Sequence, residues 1–157
     1  LSAVLSLASE SMLDGAGVVV AVLILAAFIG LGIVFDIIGV ATTAADPKPF
    51  HSMAAHKEKG AKEALYLLRN ANKVSSVCND VVGDICGIVS GSTAAVIVTQ
   101  LQQGLNTTSI LVSIAVTSLI SGATIGGKAL GKKIAINDST SVVYRVARMM
   151  HTLHLFR

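Results

Sequence analysis

Three stretches of this chain run for about 20 residues or more with almost no charge, and each is long enough to cross a hydrocarbon core of about 30 Å as a helix. Residues 17–45 contain VVVAVLILAAFIGLGIVF and one charged side chain, Asp36. Residues 74–101 contain only Asp80 and Asp84, and residues 108–129 only Lys128. The first stretch is apolar on every face, the pattern of a helix surrounded by lipid. In a bilayer the backbone must satisfy its own polar groups, which leaves helices or closed barrels. A barrel needs many alternating segments of about ten residues, and the chain has none. The sequence therefore predicts an all-α integral membrane fold with three transmembrane helices, at 17–45, 74–101 and 108–129, in a single membrane domain.

Charged residues make up 13% of the chain, against about 25% in soluble domains, too few for a fully wetted surface. The net charge of +3 does not indicate nucleic acid, because the basic residues flank the spans and suit anionic lipid headgroups better. With aromatics at 4% and no Trp, any aromatic belt is thin.

All 12 Lys and Arg residues lie in the 46–73 connection or after residue 127, and the QQGLNT turn at 102–107 has none. The positive-inside rule then places residues 46–73 and the C-terminus in the cytoplasm of a multi-pass cell-membrane protein. Residues 1–13, LSAVLSLASESML, read as the end of a hydrophobic N-terminal segment. The tail of an extra span is preferred over a residual signal-peptide core.

The connection is patterned. Asp46, Pro47 and Pro49 end the first span, since proline removes a donor and restricts its neighbour. Over 47–72, Phe50, Met53 and Ala54 line one face, and Ala61, Ala64, Leu65 and Leu68 line another after Gly60. Two short amphipathic helices on the cytoplasmic membrane surface are expected, with Lys57, Lys59, Lys62 and Arg69 towards lipid phosphates. A solvated charged hairpin is the plainer reading. Residues 138–155 repeat the pattern, with Val142, Val146, Met149, Met150 and Leu153 as the apolar stripe of an interfacial or partner-binding helix.

The polar residues within the spans carry the functional signal. A carboxylate at mid-membrane costs about 2.5–3.5 kcal/mol on insertion scales. Counted along the spans at 1.5 Å per residue, Asp36, Asp80 and Asp84 fall roughly 9–15 Å below the cytoplasmic surface. Asn79 adjoins Asp80, and Thr117, Ser118, Ser121 and Thr124 reach comparable depths. Asp80 and Asp84 share a helix face, which Gly87 and Gly91 continue. Ser118, Gly122 and Gly126 form a similar small-residue seam, and such seams let helices approach closely. The carboxylates are thus expected to point into a helix–helix contact. Three readings stay open. Asp36, Asn79, Asp80 and Asp84, aided by Thr117 and Ser121, coordinate a hard cation such as Mg2+. Alternatively they are protonated and bond to neighbouring helices or pair with Lys128. Or they line an aqueous vestibule.

Other motifs are bland. Cys78 and Cys86 are too far apart on one helix to pair and read as buried packing residues. His51/His56 and His151/His154 read as surface residues. No phosphate loop, dinucleotide fingerprint or nucleophile elbow is present, so an enzyme is not expected.

The arrangement resembles the transmembrane domain of the CNNM/CorC/CorB family of magnesium transport proteins. HSMAAHKEKGAKEALYLLRNANKVSS is similar to that family's helical connection into its second span, and GKALGKKIAINDSTSVVYRVARMMHTL to the run and helix after its third. FDIIGVATTAAD sits where the family has Phe-Ser-x-x-Glu-x-Ala. Asp36 then stands for the family's Ser, Gly39 for its Glu, Lys128 for a second Glu and Gly131 for a Pro. The resemblance implies Mg2+ bound among the spans and a homodimer formed through this domain. It marks the chain as a divergent member lacking the cytosolic CBS region, so nucleotide regulation in cis is not implied. The leading expectation is a homodimeric protein that binds and moves a divalent cation, most simply Mg2+. The alternative is a non-transporting accessory subunit that docks a larger membrane protein.

Overall fold

The computed structural model describes residues 17–104 and 110–153. The N-terminal segment at 1–13, the 105–109 part of the turn, Thr108 at the start of the third span, and His154 lie outside the described residues. The described residues are all-α. Helix α1 covers Val18–Ala44, α2 Lys48–Ala55, α3 Ala61–Arg69 and α4 Ala71–Ser76. A π-helical segment, Val77–Val82, leads into α5, Gly83–Gly104. Helices α6, Ile110–Asn137, and α7, Ser139–Thr152, follow. Three continuous stretches are long and apolar enough to cross a membrane: Val18–Ala44, Ala71–Gly104 and Ile110–Asn137. The third runs eight residues beyond 129, carrying Lys128, Lys132 and Lys133 on its last turns.

The described residues divide into two compact units, 17–33 with 83–104 and 110–127, and 34–82 with 128–153. In the first, Ala21, Leu25 and Ile97 are the buried centre, with Val116 and Ile120 packed against them. Cys86 lies against Gly32, where an added Cβ would come 3.2 Å from the cysteine Cβ. Gln102 Nε2 donates to Ser113 Oγ at 2.8 Å, tying α5 to α6.

In the second unit Ala41, Phe50, Ala64, Leu67, Ala135, Val143 and Ala147 form one buried cluster. It joins the end of α1, the short helices α2 and α3, the end of α6, and α7. This corrects the expectation that the amphipathic helices lay their apolar faces on lipid. Those faces pack on one another, because burial against neighbouring helices removes the same area from water. On α7 the buried positions are Val143 and Ala147, one step from the stripe read in the sequence, while Met149 and Leu153 are exposed. Two turns make the packing possible. Lys48 N–H donates to Asp46 Oδ1 at 2.9 Å, closing the turn after α1. Gly60, with φ of 90°, starts α3 against the backbone of Arg148. The imidazole of His151 lies 2.8 Å from Glu63 Oε1, linking α7 to α3. This hydrogen bond holds the Glu63 carboxyl below its ordinary range.

Candidate functional site

Asp36 sits on α1 eight residues before its end at Ala44, about 12 Å along the axis. It is only 6% exposed. Gly39 follows one turn later on the same face and is also buried. The absence of a side chain at Gly39 admits Asn79 from the π-helical segment: a Cβ at 39 would lie 2.5 Å from Asn79 Oδ1 and 3.0 Å from its Cγ. Asn79 Nδ2 donates to Ser75 Oγ at 3.1 Å, which fixes the amide orientation. Its Oδ1 then faces α1 with no donor, and Asp36 Oδ2 is likewise buried without a partner. Asn79 Oδ1 thus meets α1 at Gly39, one turn from Asp36, whose Oδ2 is the second unsatisfied acceptor. Leaving such a group unpaired costs about 1–3 kcal/mol, so each oxygen marks a place where a partner would be favourable.

The widened turn of the π-helical segment surrounds Asn79 and Asp80. Such turns recur at functional sites, and here the segment carries the amide that meets Gly39.

The remaining candidates have other local surroundings. Asp80 and Asp84 are exposed on the protomer surface, flanked by exposed Val77 and Val81. The helix–helix contact expected for this face is therefore not formed within the protomer among the described residues: a shared face follows from i, i+4 spacing, but its direction does not. Gly87 and Gly91 on that face, and Gly122 and Gly126 on α6, have open space where a Cβ would stand. Both small-residue seams are thus uncovered in the protomer. Lys128 has no ion pair among the described residues. Thr117 and Ser121 line a cleft of about 320 Å3 between α5 and α6, shared with Ser90 and Thr124. Thr117 Oγ1 donates to Ser113 O at 2.7 Å and Thr124 Oγ1 to Ile120 O at 2.8 Å, so their oxygens remain free to accept. Among the described residues no three His, Cys, Asp or Glu side chains gather as a metal cluster. Any cation held by Asp36 and Asn79 would rely on amide and hydroxyl oxygens and water. Sequence reasoning missed Ser75, although its i−4 spacing from Asn79 was legible, and Ser90, which is 6% exposed in the cleft.

Residues 18–156 match the family described as CNNM: Cyclin M transmembrane N-terminal domain. The chain belongs to this family. The cyclin M transmembrane domain is a transporter-type membrane domain associated with divalent-cation transport, and its family is not one of enzymes. No curated protein and no solved structure matches the chain. Within this cyclin M domain, Gly39 occupies the place where the resemblance puts a family Glu. The room a longer side chain would fill is taken by Asn79, while Asp36 supplies a carboxylate one turn earlier.

Proposed function

We propose that this cyclin M domain binds and moves a divalent cation, Mg2+ in the first instance, with Asp36 and Asn79 as its central oxygen ligands. The observation that carries this reading is the pair of buried, unpartnered acceptors, Asp36 Oδ2 and Asn79 Oδ1. An oxygen-only donor set favours a hard cation, and Mg2+ commonly keeps several waters while taking one or two carboxylates. One carboxylate, one amide oxygen and the neighbouring Ser75 hydroxyl suit such a partly hydrated ion. Asp80, next to Asn79 in sequence, would raise the local cation concentration.

Uptake of Mg2+ into proteoliposomes carrying an internal magnesium dye tests this. Asp36→Asn should lower the rate at least tenfold and abolish Mg2+-dependent thermal stabilisation, since a ligand stabilises only the state that binds it. Uptake at the wild-type rate by both Asp36→Asn and Asn79→Ala would remove the proposal. The exposed face of Asp80, Asp84, Gly87 and Gly91 favours an assembly in addition. Carboxylates facing hydrocarbon are costly, and a second copy would cover them. Light scattering in mild detergent should give a dimer mass; a monomer would count against that assembly, and a stoichiometric foreign subunit would favour an accessory role.

A further inference from the structure

A second polar feature lies outside the spans. The end of α2, the start of α3 and His151 of α7 enclose a cleft of about 450 Å3, lined by Lys57, Lys59, Lys62, Glu58 and Glu63. Its two carboxylates are engaged by α7: Glu63 by His151 at 2.8 Å, and Glu58 by the hydroxyl of Tyr144 at 3.5 Å. The three ammonium groups have no hydrogen bond or ion pair among the described residues. Gly60, the residue that caps α3, brings no side chain to the N–H groups of the first turn, and a helix N-terminus favours anions. The cleft therefore presents three ammonium groups without hydrogen-bond partners in a concave setting, while Glu58 and Glu63 keep their charge, so that the lining carries a small net positive charge.

The cleft also has a defined place in the chain. Helix α1, a membrane span, ends at Ala44, and α2 begins at Lys48. An eight-residue helix advances about 12 Å, so the lysines lie within reach of the headgroup layer. Basic clusters next to a span are attracted to anionic lipids. A phosphomonoester offers three terminal acceptor oxygens and a charge of about −1.5 to −2, so it can engage several of these ammonium donors at once, where a phosphodiester offers two oxygens and one charge. We propose that this cleft binds a phosphomonoester-bearing polyanion, with a phosphorylated inositol lipid headgroup as the form the membrane supplies.

Native mass spectrometry and binding titrations on the whole chain in detergent micelles test this. The probes are dioctanoyl phosphatidylinositol 4,5-bisphosphate, dioctanoyl phosphatidylserine and soluble inositol 1,4,5-trisphosphate. The bisphosphate lipid should bind at least tenfold more tightly than phosphatidylserine. The combined Lys57→Gln, Lys59→Gln, Lys62→Gln variant should lose that preference, while Lys48→Gln with Lys73→Gln should keep it. Tighter binding of the lipid than of the soluble trisphosphate supports the membrane source, and equal binding supports a soluble phosphate ligand in the same cleft. Equal affinity for phosphatidylserine, or retained preference in the triple variant at an unchanged melting temperature, would overturn the proposal.

Discussion

Asn79 and Gly39 form a close fit in which one residue's missing side chain sets the other's position. An alanine at 39 would gain about 1 kcal/mol of helix propensity. It would also drive a Cβ to 2.5 Å from Asn79 Oδ1, and overpacking of this kind costs about 1–3 kcal/mol. The amide can yield only by giving up Ser75, so the cost is expected to win. Gly127 is the control. Its added Cβ would also come to 2.5 Å, but from Ile33 Cδ1, the free end of a flexible chain. Gly39→Ala should therefore lower the melting temperature in detergent and shift the Mg2+ midpoint at least tenfold, while Gly127→Ala leaves both near wild type. Matching behaviour of the two variants would show that the Asn79 amide is not clamped. The polar inventory was legible here and its grouping was not. Asp36 and Asn79 stood out as polar residues in apolar runs, whereas the approach of Asn79 to Gly39 comes from a π-helical turn that no residue type announces.

At the level of elements, the spans were readable because charge is excluded from lipid over about 20 residues. The short helices were readable from their apolar faces, but what those faces touch was not. Lipid and a neighbouring helix select the same residues. Burial of Ala64, Ala135 and Ala147 shows the preference for small residues where helices approach closely. Charge also hid the end of α6, because Lys128, Lys132 and Lys133 suggest the close of a span while remaining good helix formers. The packing of α3 on α7 turns on Gly60. Its φ of 90° is left-handed, which costs an ordinary residue about 1–2 kcal/mol. A Cβ there would meet the Cα and N of Arg148 at 3.1 Å. Backbone cannot swing aside as a side-chain tip can, so Gly60→Ala should loosen α7 from α3. Hydrogen exchange should rise across α7 while the protection of α1 holds; unchanged exchange in α7 would show that the contact is not needed.

For the whole molecule, charge and packing give independent information about sidedness. Positive charge alone assigns residues 46–73 and the C-terminal helix to one side, by a rule about insertion. The buried cluster reaches the same pairing by another route, since Phe50 and Leu67 from the connection share a core with Val143 and Ala147 of α7. Packing fixes that the two segments lie together, and only the charge rule says which compartment they face. The two inferences separate in a labelling experiment. In a background with Cys78→Ala and Cys86→Ala, the exposed positions Lys59, Ser141 and Gln103 are each changed to Cys and treated with a membrane-impermeant maleimide. Gln103→Cys should react in intact cells, and Lys59→Cys and Ser141→Cys only after permeabilisation. Reversal of the whole pattern would overturn the charge assignment and leave the core intact. Labelling of Lys59→Cys and Ser141→Cys from opposite sides would break the core itself, because no arrangement of α2, α3 and α7 around Phe50 survives a membrane between them.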